Sequence, residues 1–243
     1  ECMEGLDYMK LPGSVRDVVA VLAEKKTDLF EAASIERVTL LENGKLLNIL
    51  VVGCGEGKDC KPYNFRKAAG AVARELHALK SEQAALIAAI TLNPKRAHYL
   101  NAIAEGLYLG AYTFTEYKSK KDAVPVCKVA VLSKVEDAAE ILLKAKITAE
   151  AVSFSRDLAN HPGNVINPLT MAEKASQVAE EFNLELEILD EGAMAEKGMH
   201  ALLAVGQGSD VPSRLITLKY NGAGDAPYVA YVGKGITFDS GGD

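Results

Sequence analysis

The chain has 243 residues, of which 49% are hydrophobic and 25% are charged, and its formal net charge is -6. These values are typical of a globular protein with a sizeable core. The acidic balance disfavours a nucleic-acid partner, because neutralising phosphates requires a basic face. No apolar run approaches the length that crosses a bilayer, and the first residues lack the basic start and apolar centre of a secretory signal.

The four cysteines indicate the redox environment of the chain. Cys2, Cys54, Cys60 and Cys127 show no C-x-x-C spacing and have no histidine at zinc-finger distance. We interpret them as reduced thiols of a cytoplasmic protein. The sequence starts without an initiator Met and stops inside a motif at Asp243, so we expect it to be part of a longer protein.

The first predicted elements are a helix and a hairpin. The helix is indicated by apolar residues spaced along one helical face, Val15, Val18, Val19 and Leu22. The hairpin is indicated by two β-rich runs, Ile35–Leu41 and Lys45–Val52, on either side of Asn43-Gly44. Asn-Gly is the strongest short turn signal.

A glycine cluster, Gly53-Cys54-Gly55-Glu56-Gly57, follows the second run of the hairpin. Its spacing is G-x-G-x-G, whereas the dinucleotide-binding fingerprint is G-x-G-x-x-G. We therefore interpret the cluster as an ordinary loop.

Strands and helices alternate between residues 65 and 132. Helical periodicity covers Phe65–Leu79 and Lys95–Tyr112, and apolar runs at Ala84–Thr91 and Val124–Leu132 predict strands, the first of them buried. This alternation predicts an α/β layer with substantially parallel strands. His77 is expected to favour the helix dipole or to lie on the surface, and we do not expect it to be a ligand.

Aromatic and basic residues are interleaved after the second of these helices, a pattern that also occurs where bases stack on protein. They are Tyr112, Phe114, Tyr117, Lys118, Lys120 and Lys121. Such aromatics more often anchor a helix end on its own core, and a lysine-rich run is more often a solvated loop. We favour that structural interpretation.

A long helix is expected next. Ser133 and Glu136 match the S-x-x-E capping box, so the helix should begin there and continue to about Leu158, before Asn160-His161-Pro162-Gly163 ends it. A helix of this length without an internal turn signal is a natural strut between two domains. We therefore predict an N-terminal domain over residues 1–145, a linking helix over 146–160 and a second domain over 161–243.

The second domain is predicted to open with a helix that Thr170 and Glu173 cap as a second capping box. His200 is expected on a helix surface or in core packing. The elements that follow are a strand at Leu184–Leu189, a mostly helical Glu191–Val205, and a strand at Arg214–Tyr220.

The last stretch of the chain carries the residues with the clearest chemistry. Tyr228–Val232 predicts a strand buried on both faces. Lys234 and Asp239 follow it inside a glycine frame that permits left-handed dihedrals and close approach to a ligand. The frame consists of Gly233, Gly235, Gly241 and Gly242.

This stretch does not match a Walker phosphate loop. That motif requires Ser or Thr after the lysine and a glycine five residues before the Gly-Lys pair. Here Gly235 follows Lys234, and Tyr228 stands where the earlier glycine belongs. Two interpretations stay open on spacing alone: the two side chains bind a cation, or Lys234 pairs with a carboxylate while Asp239 makes a turn bond to backbone.

Three phrases of the sequence resemble the leucyl aminopeptidase family, the dinuclear metallo-aminopeptidases. Ten consecutive residues, Val232 to Gly241, match the family's Val-Gly-Lys-Gly and Thr-Phe-Asp-Ser/Thr-Gly-Gly with spacing intact. Glu105 to Lys118 is similar to an E-G-x-x-L-G-x-Y-x-F-x-x-Y-K phrase of the family's first domain. Arg156 to Ala175 is similar to the R-x-L-x-N-x-P-x-N phrase that starts its catalytic domain. His161 occupies a variable position there, and we give it no metal role.

The resemblance implies a macro-like α/β domain joined by the long helix to the first part of an α/β catalytic domain. It implies that Lys234 and Asp239 bind two divalent metal ions, Mn²⁺ or Zn²⁺, in a loop whose backbone the four glycines supply. A lysine binds a metal only as a neutral amine, so such a site must disfavour the ammonium form. The implied activity is release of N-terminal residues, often leucine, from peptides with a free N-terminus, by a homo-hexamer.

The family's catalytic residues and remaining ligands are expected after Asp243, so we expect these 243 residues alone to be inactive. Asp243 departs from the Leu or Ile that the family usually has there. Two alternatives are a nucleotide- or DNA-binding module that uses the macro-like domain, and an inactive family member. The acidic balance and the lack of a basic stripe weigh against the first.

Overall fold

The structure, a computed structural model, describes residues 11–25, 27–55, 60–119 and 127–238. Helices and strands alternate along these segments, as the predicted α/β class requires. The chain divides into two compact units, Glu1–Arg156 and Asp157–Asp243, and each is described by itself below. None of the helices in the described segments combines the length and apolarity needed to span a bilayer.

The first unit opens with the predicted helix and hairpin. Helix α1 covers Gly13–Lys25 and is followed by a 3-10 turn at Thr27–Phe30. Strands β1 (Ile35–Glu42) and β2 (Lys45–Val52) then pair antiparallel, with Glu42 opposite Lys45 at the turn. Asn43 and Gly44 both have positive φ, 50° and 76°, as a two-residue type I′ turn requires. The predicted hairpin is confirmed.

The glycine cluster after β2 has a structural role at its first position. A Cβ at Gly53 would overlap the carbonyl oxygens of Leu29 and Glu31, and the Gly53 amide donates to the Ser34 carbonyl at 3.0 Å. The space beside Gly53 is therefore filled by the chain's own carbonyl oxygens, a poor setting for a phosphate. Gly53 to Gly55 is a loop, as predicted, and Glu56 and Gly57 lie outside the described residues.

Two helices form the core of the first unit. Helix α2 covers Pro62–Ala78 and helix α3 covers Ala97–Gly110, close to the predicted bounds. Their shared cluster consists of Phe65, Ala69, Tyr99 and Ile103. The Phe65 and Tyr99 rings meet edge to face at 5.1 Å, and the Tyr99 hydroxyl donates to the Cys60 carbonyl at 2.9 Å. This hydrogen bond ties the loop that follows β2 to the helical core.

Glycines allow α2 and α3 to cross in backbone contact. A Cβ on Gly106 would lie well under 3.0 Å from the Arg66 carbonyl oxygen, and one on Gly110 would lie 2.6 Å from the Cα of Gly70. Beside the crossing, Arg66 pairs with Glu105 at 2.6 Å. Glu105, Gly106 and Gly110 all belong to the aminopeptidase-like phrase, so their spacing corresponds to a helix crossing.

A parallel strand pair follows, as the α/β prediction required. Strand β3 (Gln83–Ile87) pairs with β4 (Lys128–Leu132). The prediction of a buried strand reaching Thr91 is wrong, because Ala89–Leu92 forms a 3-10 turn and alternate β3 residues are exposed. Thr91 explains the turn: its fully buried hydroxyl lies 2.8 Å from the Ala88 carbonyl and 2.7 Å from the Leu132 carbonyl.

The long helix, α4, covers Ala138–Asn160. The predicted capping box at its start is wrong. The Ser133 hydroxyl accepts from the Val135 amide at 3.1 Å and donates to the Thr91 carbonyl at 3.2 Å, which makes it part of a local turn. Asp137 then adopts a left-handed φ of 54°, so helical geometry begins only at Ala138.

The second unit contains the predicted helices and strands as far as Lys219, with one change of cap. Helix α5 covers Pro168–Phe182, and its N-cap is Asn167, whose side chain accepts from the Leu169 and Thr170 amides while the Thr170 hydroxyl accepts from the Asn167 amide. The predicted Thr170–Glu173 box is therefore wrong, because Thr170 is already the third residue of the helix. The elements that follow are β5 (Glu185–Leu189), α6 (Glu191–Glu196), α7 (His200–Gly206) and β6 (Leu215–Lys219).

Strands β5 and β6 pair antiparallel, with Glu185 opposite Lys219. The prediction that the residues between β5 and β6 are mostly helical is confirmed. The helical stretch is interrupted at Gly198, whose φ is 69°. The prediction of a buried strand at Tyr228–Val232 is wrong for this structure: the segment has no strand pairing, and Val232 is 97% exposed. Such a strand needs hydrogen-bonded neighbours in a sheet whose two faces are both covered, and none of the described strands pairs with this segment.

Candidate metal-binding segment

Lys234 lies in a solvent-exposed part of the second unit that has no regular secondary structure. The glycines on either side of it, Gly233 and Gly235, have no atom within 4 Å of the position that a side chain would take, and neither has a left-handed φ. The lysine amine is therefore accessible, and the space beside its backbone is open. That these two glycines supply the backbone of a metal-binding loop stays a prediction.

The other predicted ligand, Asp239, lies outside the described residues, as do Gly241 and Gly242. Within residues 11–25, 27–55, 60–119 and 127–238, no three His, Cys, Asp or Glu side chains are grouped closely enough to hold a metal ion. In the part of the chain that the structure describes, no such group of side chains therefore lies beside Lys234.

The segment that leads to Asp239 rests on the turn that follows α4. A Cβ placed on Gly163 would lie 2.9 Å from the Thr237 carbonyl oxygen and 3.4 Å from the Phe238 Cβ. Thr237 is half-buried, whereas every other residue from 221 to 238 is exposed. Thr237 is thus the point at which this part of the segment is held. The sequence did not indicate this contact, because Gly163 stands at a variable position of its phrase.

A second contact joins two of the aminopeptidase-like phrases within the first unit. Arg156, near the end of α4, donates from Nη1 to the Leu109 carbonyl at 3.1 Å. Its guanidinium carbon lies 5.3 Å from the centroid of the Tyr112 ring. Sequence reasoning placed these residues in separate phrases and did not pair them. The signal that could have indicated this contact is an arginine in one phrase and a tyrosine just after a helix end in the other.

The aromatic residues after α3 make protein contacts of the kind expected for a helix anchor. Arg156 covers the face of Tyr112, and the rings of Phe114 and Tyr117 meet edge to face at 5.8 Å. The Lys118 amide donates to the Thr115 carbonyl at 3.1 Å, while Lys120 and Lys121 lie outside the described residues. These contacts favour the structural interpretation over base stacking.

The histidines with described positions show no metal-site grouping. His77 is half-buried in the last turn of α2 and His200 is the exposed first residue of α7. The His161 amide donates to the Asp157 carbonyl at 3.2 Å and so continues α4 into the turn. The sequence assigned none of them a ligand role.

Two family models match the chain, and both describe parts of one class of peptidase. The catalytic-domain model of the cytosol aminopeptidase family matches residues 153–243, and the N-terminal-domain model of the same family matches residues 24–121. The chain belongs to the cytosol aminopeptidase family. The resemblance seen in the three phrases is thereby confirmed, as is the α/β fold class.

Relatives with curated names carry the same designation. The probable cytosol aminopeptidase of Aquifex aeolicus is 40% identical over 199 residues, which cover 80% of this chain and 39% of that protein. The cytosol aminopeptidase of Pseudomonas aeruginosa is 39% identical over 230 residues, covering 90% of this chain and 46% of that protein. The probable cytosol aminopeptidase of Rhodococcus opacus is 36% identical over 246 residues, which cover 98% of this chain and 46% of that protein. The chain thus spans less than half the length of these relatives.

Solved structures show the same relationship. The bottromycin maturation enzyme BotP superposes with a TM-score of 0.68 at 25% sequence identity, covering 83% of this chain and 43% of BotP. The structure of BotP in complex with Mn has a TM-score of 0.68 at 26% identity, with coverage of 83% and 42%. The similarity in fold therefore extends over most of this chain.

Proposed function

We propose that the protein of which these residues form part is a metal-dependent aminopeptidase that releases N-terminal residues, leucine among them, from peptides. The observation that carries this proposal is the ten-residue match from Val232 to Gly241, inside a segment that the family's catalytic-domain model matches. The names of the relatives and the manganese in one BotP structure support it. We propose Lys234 and Asp239 as ligands of two divalent cations, Mn²⁺ or Zn²⁺.

The donor chemistry of these two residues suits such cations. A neutral amine and a carboxylate are acceptable ligands for zinc and manganese, and the Lys234 side chain is exposed and open to approach. Two donors are fewer than a catalytic metal normally takes from protein. The prediction that these 243 residues alone hydrolyse no leucine amide therefore remains part of the proposal, with the missing ligands expected after Asp243.

When bound, a pair of divalent cations polarises the scissile carbonyl and activates a water molecule. Lys234 would contribute the lone pair of its neutral Nζ, and the carboxylate of Asp239 would contribute negative charge that can be shared between two cations. The open space beside Gly233 and Gly235 would leave room for a peptide next to Lys234. We also propose peptides with a free N-terminus as substrates and a homo-hexamer as the assembly.

The proposed division of the chain follows the same family. It comprises an N-terminal domain over residues 1–145, a linking helix over 146–160 and a catalytic domain over 161–243. The two family models support it, because one ends before α4 and the other begins within its last turns, at residue 153, although the helix itself begins at Ala138.

The test is metal content and turnover in the full-length protein. Lys234→Ala and Asp239→Ala should each lower the bound metal per chain and slow leucine-amide hydrolysis by more than about tenfold, since even outer-shell partners of metal ligands contribute about 10- to 100-fold. Lys197→Ala and Asp225→Ala, at exposed positions of the same unit, are matched controls and should behave like the parent. Unchanged metal content and rate in both ligand variants would show the assignment to be wrong.

A further inference from the structure

We propose that the exposed face of helix α4 is a contact between two copies of this chain, which pair antiparallel about a two-fold axis. The contact goes beyond the proposed activity and deepens the proposed homo-hexamer, because it names one surface through which copies meet. The residues that carry it lie between Glu140 and Phe154, all within the first compact unit. The contact depends on no metal ligand.

Three large apolar side chains form a stripe on the outer face of α4. Leu143, Ile147 and Phe154, called the α4 stripe below, are 56%, 57% and 41% exposed. With 3.6 residues per turn, positions i, i+4 and i+11 fall within about 40° of one another around a helix. Ala145 and Ala149, which are buried, lie on the opposite face. Helix α4 is therefore packed on one side and carries an exposed apolar stripe on the other.

The α4 stripe differs from an ordinary solvated helix face. Surface helices place charged and polar residues opposite their buried side, and exposed apolar residues are otherwise scattered singly. Charged pairs border the stripe on both sides, Glu140 with Lys144 at 2.6 Å and Lys146 with Glu150 at 3.6 Å. An apolar centre with a charged rim is the composition of a helix–helix contact.

The order of residues along α4 fits a second copy of the same helix. In an isologous pair, the same patch of both copies meets across a two-fold axis. With the axis at the midpoint of the α4 stripe, Ile147 lies beside Ile147 of the second copy, and Leu143 lies beside Phe154 of the second copy. The same register sets Lys146 against Glu150 of the second copy, once on each side of the axis. One register thus satisfies the apolar and the charged residues together, as a self-complementary surface requires.

The test measures proximity between copies in the full-length protein, because a single helix pair is a small interface and small interfaces are weak when they act alone. Ile147→Cys places a thiol next to the two-fold axis, where a short bismaleimide can join two copies. Thr148→Cys is the matched control, exposed like its neighbour but turned about 100° away around the helix. We expect Ile147→Cys to cross-link at least about tenfold faster, since thiols held together have an effective concentration far above that of dissolved protein. The parent gives the background from its own cysteines.

Charge substitutions in the Ile147→Cys protein test the register. Lys146→Glu or Glu150→Lys alone sets like charges against each other across the axis and should slow cross-linking by about threefold or more at low salt. The two together restore opposite charges and should restore the rate. Glu140→Lys is the control, because it breaks a similar pair within the helix but faces the uncharged Ser155 of the second copy in this register. All of these positions are exposed, so the variants should fold like the parent.

Sedimentation velocity of the parent separates this contact from the proposed assembly. If the full-length protein is hexameric but Ile147→Cys cross-links no faster than Thr148→Cys, the contact is refuted and the homo-hexamer stands. Polypeptide outside these 243 residues, or solvent, would then cover the α4 stripe. If the protein is a monomer and does not cross-link, both proposals fail, while leucine-amide turnover still reports on the proposed activity.

The charge variants decide the register in the same way. Faster cross-linking of Ile147→Cys that is slowed by each single charge reversal and regained in the double variant would support the antiparallel contact. Cross-linking that neither single reversal changes would refute the register.

Discussion

The crossing of α2 and α3 makes Gly106 the position where a single methyl group should do most harm. In Gly106→Ala the new Cβ would overlap the Arg66 carbonyl oxygen and would lie 2.9 Å from the Ala69 Cβ. The first of these atoms belongs to the backbone of α2 and cannot move aside as a flexible side chain could. The two helices would have to separate, although they form the core of the first unit.

The magnitude follows from two opposed terms. Replacing glycine by alanine in a helix interior normally stabilises by about 1 kcal/mol. Overpacking a filled contact costs about 1–3 kcal/mol, and we take the upper end because the obstacle is backbone. We therefore expect Gly106→Ala to lower the free energy of unfolding by about 2 kcal/mol, the difference between these terms.

Gly70 provides a control in the same crossing. A Cβ there would lie 3.4 Å from the Gly106 carbonyl oxygen and 3.7 Å from the Arg74 Nη1, which are ordinary contacts. Gly70→Ala should consequently be neutral or stabilising by up to about 1 kcal/mol, the helix-propensity gain alone. The two substitutions should change the free energy of unfolding in opposite directions, although both add a methyl group at the same helix crossing. Their comparison therefore tests packing independently of helix propensity.

The assay is urea unfolding followed by far-ultraviolet circular dichroism, with the shift in midpoint converted through the denaturant slope. Native helical content should be the same in both variants and the parent. If Gly106→Ala unfolds at the same or a higher urea concentration than the parent, the backbone contact between α2 and α3 is not as close as described, and the reasoning is refuted.

Two further predictions concern a helix cap and a thiol. Asn167→Ala should lower the free energy of unfolding by about 1 kcal/mol, because two amides of α5 lose their acceptor. The control Glu173→Ala should change it by less than about 0.5 kcal/mol. Equal effects of the two substitutions in urea unfolding would contradict the Asn167 cap. Burial raises the pKa of the Cys127 thiol, so its alkylation by iodoacetamide should require a higher pH than that of a small-molecule thiol. Because the folded chain holds this proton more tightly than the unfolded chain, stability should fall slightly as pH rises past the ordinary cysteine range. Superimposable rate–pH curves for Cys127 in folded and urea-unfolded protein would contradict this.

Local signals in the sequence predicted most elements because the forces that form them act over a few residues. Asn43-Gly44 predicted the hairpin, since few other residue pairs accept positive φ at both positions. Pro162 and Gly163 predicted the end of α4 for a similar reason: proline disfavours helical geometry in the residue before it. The phrase match at Val232 to Gly241 indicated the family without any structural information.

The caps were predicted less well because several polar residues near a helix start have the spacing of a cap. Ser133 matched a capping box, yet its hydroxyl is used by the Val135 amide and the Thr91 carbonyl, which lies 42 residues away along the chain. Thr170 matched another, yet Asn167 caps the helix three residues earlier by accepting from the Leu169 and Thr170 amides, which leaves Thr170 inside the helix. Spacing alone does not rank such competitors, since their order depends on the path of the backbone.

What the sequence determined by itself was the class of the chain: alternating strands and helices, the hairpin turn at Asn43-Gly44, and the phrases of the cytosol aminopeptidase family. Tertiary structure decided which distant groups meet. It placed Arg156 on the end of α3, Gly106 on the backbone of α2, and Gly163 beneath Thr237. It also left Tyr228–Val232 unpaired, because a strand is stabilised by its neighbours in the sheet and not by its own composition.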